Sequence, residues 1–207
     1  MRRILSYMKV GFDTVSEFER LIANYFNAPY AVATDCCTHA IELCLRYEKY
    51  DDIQIPEQTY ISIPFTAEKL GIKWTWKKNY IWNDYYYLWN TNIIDAAVLW
   101  EKDSYLPGTY MCLSFQFRKH LNLGRGGMIL LDNLEAYNCL KKMVYDGRTN
   151  DKPWGEQDID MIGYHYYMTP ETASLGIEKF KEVAFKEPKR YQYLDYPFLP
   201  DMRVFKK

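Results

Sequence analysis

SFQFRKHLNLGRGG (residues 114–127) sets a hydroxyl, a lysine five positions later and three glycines directly before the apolar run 128–131. A lysine attacks a carbonyl only as the neutral amine, so neighbouring cations that lower its proton affinity make it a better nucleophile. Arg118 precedes Lys119, and Arg125 lies in the same loop. Gly124, Gly126 and Gly127 permit positive φ angles or close backbone approach. Ser114 offers a hydroxyl to an anion. Taken alone, the lysine reads better as part of a basic surface loop, and the pattern around it has to decide.

Working outward, residues 128–131 read as a strand and 133–144 as the helix after it, while 110–115 form a strand leading into the motif. Upstream, Phe18, Leu21, Ile22, Tyr25 and Phe26 fall at helical spacing behind a Thr14/Glu17 capping box, which predicts a helix over 14–26. Ala28-Pro29 ends it. Residues 30–33 are a short apolar strand, 34–38 a polar turn, and Ala40, Ile41, Cys44 and Leu45 share one face of a second helix. Strands at 53–56 and 72–76 flank a helix over 61–70 that stops at Gly71. Ile93-Ile94 leads to Asp95, and Thr169 caps a helix whose first residue is Pro170. Residues 146–158 form a loop. This alternation predicts an α/β fold with a mainly parallel sheet. One domain over 1–186 and a tail over 187–207 are expected.

A net charge of −1 gives no long-range attraction to nucleic acid. Five cysteines, an odd number with no zinc-like spacing, point to a reduced, cytoplasmic chain without a metal site. No apolar run is long enough for a membrane span or a signal peptide. The 20 tyrosines, 10 phenylalanines and 6 tryptophans suit pockets and interfaces, because Tyr and Trp join an apolar body to a polar tip.

In such sheets ligands collect beyond the C-terminal ends of strands, and Thr38, Asp95, Ser114 and Lys119 all fall there. The turn before a helix offers unpaired N–H groups and the positive end of a dipole to a phosphate, with Thr38 adding a hydroxyl. Asp95 could hold a proton on a heterocyclic nitrogen. A phosphate cradle, an acid for a ring nitrogen and a lysine for an aldehyde together describe pyridoxal 5'-phosphate. Each feature alone has a plainer reading: a helix cap, a loop aspartate, a surface lysine.

The motif resembles the Schiff-base segment of the DegT/StrS-type sugar aminotransferases, in which Ser-Phe, three residues, Lys, one residue, Leu, two residues and Gly-x-Gly-Gly follow in order. AVATDCCTHAIELCL, IPEQTYISI, IIDAAVLW and GYHYYMTPETASLGIEKF resemble the family's other landmarks in the same sequence order. The resemblance implies the large domain of a fold-type I pyridoxal-phosphate enzyme, with most of the small C-terminal domain missing. It implies that Lys119 carries the cofactor as a Schiff base and Asp95 pairs with the ring nitrogen. Tyr60 would stack on the ring, Thr38, the His39 amide and Ser114 would bind the phosphate, and His165 would reach the partner subunit's phosphate. A cytoplasmic homodimer is implied, passing an amino group from a donor such as glutamate to a keto group of a nucleotide-linked sugar.

The chain departs from the family pattern at several positions. Cys37 replaces a glycine, Val98 a glutamine, His165 an asparagine, Tyr167 an arginine and Arg125 a glutamate. The chain is about half the family's usual length, and residues 72–95 are too few for the usual strand-helix-strand insert. Two other functions stay open. One is a catalytically reduced homologue that binds cofactor or sugar or supports a partner. The other is a sugar dehydratase of the same fold, which would carry histidine where Lys119 stands.

Overall fold

The computed structural model describes the backbone of residues 2–206 and the side chains of residues 12–206. The chain runs α1 (Arg2–Phe26), β1 (Tyr30–Thr34), α2 (Cys37–Glu48), β2 (Asp52–Pro56), α3 (Ser62–Leu70), β3 (Lys73–Lys77), β4 (Tyr86–Tyr87), β5 (Ile93–Asp95), β6 (Tyr110–Ser114), β7 (Gly127–Leu131), α4 (Leu134–Met143) and α5 (Pro170–Val183). Short 3-10 turns follow in the tail.

Alternation along the strands divides the interior into two cores. Val32, Ile93, Tyr110, Cys112, Ile129 and Leu131 pack with α2, α3 and α4. Their sequence neighbours Ala31, Ala33, Ile94, Met111, Leu113, Met128 and Leu130 pack with α1 and α5 on the other face. A sheet buried on both faces needs strands that are apolar throughout, which accounts for the unbroken runs read above. The same alternation carries Asp95, two residues after Ile93, and Ser114, two after Cys112, to the α2 face. The strand phase therefore gathers polar groups at one edge.

The main sheet has the order β1-β7-β6-β5-β4, and β2 pairs with β3. Reciprocal backbone hydrogen bonds between Gln54 and Trp89, at 3.1 and 2.9 Å, join the two. The sheet is mixed rather than mainly parallel. β5–β6 and β2–β3 run parallel, while β1–β7, β6–β7 and β4–β5 run antiparallel. A parallel pairing needs a crossover of a dozen or more residues. Residues 88–92 between β4 and β5 are too few, so Tyr86 and Tyr87 fold back as a hairpin strand.

Helix α1 starts at Arg2, well before the expected cap at Thr14. Nothing upstream breaks it: residues 2–13 contain no proline, and their lone glycine, Gly11, costs only about 1 kcal/mol in a helix. The cap at Thr169 forms as read, and Asn133, expected inside the helix, caps α4. Asn133 accepts from the Ala136 N–H at 2.9 Å, and Thr169 accepts from Thr172 N–H at 3.3 Å. Helix α5 lies close on α1, since a Cβ at Gly176 would sit 2.6 Å from the Phe18 ring.

The tail folds back across the β2–β3 side. Arg190 bridges Asp84 at 3.1 Å and Glu101 at 2.8 Å. The Leu199 N–H donates to the Glu57 carbonyl at 2.8 Å, and the Leu199 side chain is fully buried. The Phe205 ring meets Trp74 and Trp76 edge-on.

Candidate active site

Asp95 closes β5 as a buried carboxylate. The Ala97 N–H donates to Oδ1 at 3.0 Å, and the Tyr86 hydroxyl donates to Oδ2 at 2.6 Å. Burial pushes its proton affinity up; the bonds from Tyr86 and Ala97 and the charge of Lys119 pull it back only in part. Lys119 sits in the loop that extends the β6–β7 hairpin, where its own N–H closes a turn on the Gln116 carbonyl at 2.8 Å. Its ammonium is half-buried. Desolvation lowers its pKa from the ordinary lysine value, against the opposing pull of Asp95 and Cys37. Among the described residues its Nζ has no hydrogen bond or ion pair. The lysine and the aspartate thus feel each other's field without being bonded together, and Cys37 lies within reach of both.

The polar turn before α2 stands beside them. Its N-cap, Cys36, is extended and makes no side-chain cap, so the first-turn N–H groups remain available as donors. Gly127, paired with Ser114 across β6–β7, lies directly under this turn. A Cβ there would come within 2.5 Å of the Cys36 carbonyl carbon and 2.6 Å of the Cys37 nitrogen. Real side chains do not approach backbone so closely, so only glycine lets Ser114 and the helix terminus meet. The Thr38 hydroxyl is bonded to the Ser62 hydroxyl at 2.8 Å, and Ser114 Oγ accepts weakly from the Gln116 N–H at 3.4 Å. We predict that Gly127→Ala costs about 1–3 kcal/mol of stability, as overpacking does, and weakens phosphate-ester binding at the turn. Denaturant melts and titration with pyridoxal phosphate check both effects.

A charged cluster that sequence reading missed surrounds the same turn. Arg125 Nη2 pairs with Asp35 Oδ2 at 2.7 Å, and Asp35 Oδ1 meets His39 Nδ1 at 2.6 Å. The His39 ring stacks on Tyr166 at 3.7 Å and 10°. The i,i+4 spacing of Asp35 and His39 was the available signal. Burial alone would lower the histidine pKa, but the bond to Asp35 and the contact with Cys36 raise it to about 9. For Asp35, burial is overridden by His39 and Arg125, and its pKa is lowered. Ligand atoms of Asp35, Cys36 and His39 lie within 4.8 Å of one another, a spacing that could suit a metal. However, Arg125 occupies the carboxylate and the helix end is positive, so the electrostatics favour an anion.

The folded pKa of His39 exceeds its unfolded value of 6.5, so its contribution to stability is complete below pH 6.5 and is lost as pH rises through about 9. The stability gap between wild type and His39→Gln is therefore expected to be largest near pH 6 and to close by pH 10. Melting temperatures across that range measure it.

Tyr60 lies just before α3 and is largely exposed. His165 is exposed as well; its Nδ1 meets Asp146 at 3.0 Å, and its ring meets Tyr167 edge-on, apart from the cluster around Asp95. Val98, at the expected glutamine position, packs half-buried against the α2-side core. Three residues around Asp95, Thr59, Tyr86 and Tyr196, were given no role by the sequence reading. Thr59 is hydrogen-bonded to the Tyr86 hydroxyl. Tyr196, from the tail, packs on Trp82 at 5.3 Å, and burial and then the charge of Asp95 push its phenol up. No local pattern links residue 196 to residue 95.

Residues 6–74 and 106–196 match the sequence model of the DegT/DnrJ/EryC1/StrS aminotransferase family. The chain belongs to that family. The match passes over residues 75–105, the segment with β4, β5, Tyr86 and Asp95. Solved structures share the fold. The sugar aminotransferase CalS13 from Micromonospora echinospora aligns with a TM-score of 0.66 at 14% identity, over 82% of this chain and 60% of that one. The 3-amino-5-hydroxybenzoic acid synthase aligns at 0.67 and 18%, over 87% and 61%. Helicobacter pylori PseC, described as an aminotransferase involved in pseudoaminic acid biosynthesis, aligns at 0.67 and 12%, over 83% and 58%. The DegT/StrS-family chain thus has the fold-type I architecture and spans about three-fifths of each neighbour's length. No curated protein matches it in sequence. No helix among the described residues is long and apolar enough to cross a membrane.

Proposed function

We propose that this chain carries the cofactor-binding and catalytic core of a pyridoxal-phosphate-dependent aminotransferase that aminates a keto group of a nucleotide-linked sugar. One observation carries the reading. An unpaired, half-buried lysine amine lies in the field of a buried carboxylate, and Cys37 at the first turn of α2 feels both.

The residues fit the cofactor. Gly127 lets the first turn of α2 approach Ser114, so the turn's N–H groups, Ser114, Thr38 and the His39 amide would hold the phosphate. Asp95 retains lone pairs beyond its two bonds, enough to hold a proton on a ring nitrogen. Lys119 would hold the aldehyde end covalently, and Tyr60 offers an aromatic face. When bound, the cofactor supplies an electron sink at the carbon losing its proton.

The chain's own groups do the rest. Desolvation lowers the proton affinity of Lys119, which favours its action as a nucleophile and then as the base that takes and returns the proton at the donor's α-carbon. Asp95 keeps the positive ring nitrogen paired. The description of CalS13 as a sugar aminotransferase supports a sugar acceptor. Glutamate as donor, and a homodimer in which His165 reaches the partner subunit's phosphate, complete the reading.

A second reading, a homologue that binds cofactor without transferring an amino group, draws on the departures from the family pattern at Cys37, Val98, His165 and Tyr167. The dehydratase reading is disfavoured by a lysine at position 119. Adding pyridoxal phosphate and then glutamate separates these. The aminotransferase gains a visible absorption band that glutamate bleaches, and a keto acid is released. A band that glutamate leaves unchanged supports binding alone.

A further inference from the structure

Asp95 is held from behind by two hydroxyls in series. Tyr86 donates its proton to Asp95 Oδ2 at 2.6 Å. A phenol has a single proton, so the hydrogen bond between Tyr86 and Thr59 must run from the threonine hydroxyl to the tyrosine oxygen. Thr59 and Tyr86 are buried at 1% and 3% exposure, which shields the relay from water. Strand register supplies the geometry, because Tyr86 is the direct cross-strand partner of Asp95. That register exists only because β4 folds back antiparallel, in the segment outside the family match.

We propose that Tyr86, itself oriented by Thr59, is a positioning residue that fixes the rotation of the Asp95 carboxylate and keeps it ionised for pairing with a cationic ring nitrogen. This rests on the cofactor reading above. A buried carboxylate prefers to be neutral, and a neutral Asp95 could not stabilise a positive ring. Few groups oppose that preference. Around Asp95 are Tyr86 on β4, Lys119 in the loop after β6, Cys112 on β6, Cys37 on α2 and Tyr196 in the tail. Burial keeps the two thiols and the two phenols protonated, so Lys119 is the one cation of the set. Bonding to an aldehyde, with loss of water, would also turn the Lys119 amine into a far less basic imine nitrogen. Tyr86 and the Ala97 N–H then remain to hold the carboxylate as an anion. A phenol that accepts from Thr59 while donating is a stronger donor than an isolated one.

The test follows the Asp95 side-chain carboxyl by ¹³C NMR titration in the full-length chain, as wild type, Tyr86→Phe and Thr59→Val. Tyr86→Phe is expected to raise the midpoint by roughly one pH unit, a tenfold gain in proton affinity. Thr59→Val should move it in the same direction by less. With pyridoxal phosphate added, the ratio of dissociation constants for Tyr86→Phe over wild type should grow as pH falls from about 8 to 6. An unchanged midpoint in a folded Tyr86→Phe protein overturns the proposal, and so does a ratio that stays constant with pH. Should Tyr86→Phe fail to fold, an unchanged midpoint in Thr59→Val overturns it instead. If wild type binds no cofactor, the cofactor reading fails, while the carboxyl titration still decides what Tyr86 does to Asp95.

Discussion

Lys119→Ala is expected to abolish retention of pyridoxal phosphate through dialysis, and to cut transamination by at least about a thousandfold. Two separate losses combine: the amine that holds the aldehyde, and the base that moves the α-carbon proton. The fold is expected to survive and to gain slightly. Burial lowers the lysine pKa below its unfolded value, so the charged ammonium is a liability in the folded state. That liability is complete at low pH and is relieved as pH rises toward the unfolded value of 10.5. Lys119→Ala should therefore melt at or above the wild-type temperature at pH 7, with the difference vanishing at high pH. Stability given up at one position for chemistry is the usual mark of a functional site. A sharp drop in melting temperature would instead mark a structural lysine.

Asp95→Asn ranks next in expected effect. The amide can keep the Ala97 N–H bond through its oxygen but cannot supply a negative charge. A charge-assisted hydrogen bond contributes about 1.5–3 kcal/mol, so affinity for the cofactor should fall roughly ten- to hundredfold. Turnover should fall further, because an unprotonated ring is a poor electron sink. Fluorescence titration gives the first effect and a coupled assay the second. Stability again separates the roles. Burial raises the Asp95 pKa above the ordinary carboxylate value, so removing the charge relieves a cost at neutral pH. An unchanged affinity for the cofactor would remove Asp95 from the site.

Much of this arrangement was legible because it is local. Unbroken apolar runs mark the strands, Thr169-Pro170 marks a helix start, and Gly127 next to an apolar run marks a close approach. Ser114, Lys119 and the α2 turn could be found for the same reason. The rest depends on contacts between distant positions. The antiparallel course of β4 follows from a short connection, and with it comes the pairing of Tyr86 with Asp95. Tyr196 reaches the site across a hundred residues of chain, guided by Arg190 and Leu199, and no spacing announces such a return. The capping box at Thr14 misled because propensity signals are weak beside a helix that simply continues.

The central claim is a covalent bond between the Lys119 amine and the aldehyde of pyridoxal phosphate. Its most direct test is borohydride reduction of the wild-type chain incubated with that cofactor, followed by peptide mass mapping. The account predicts one pyridoxyl group, on the peptide carrying Lys119 and on no other lysine. Label spread over surface lysines, or absent from residue 119, would contradict it.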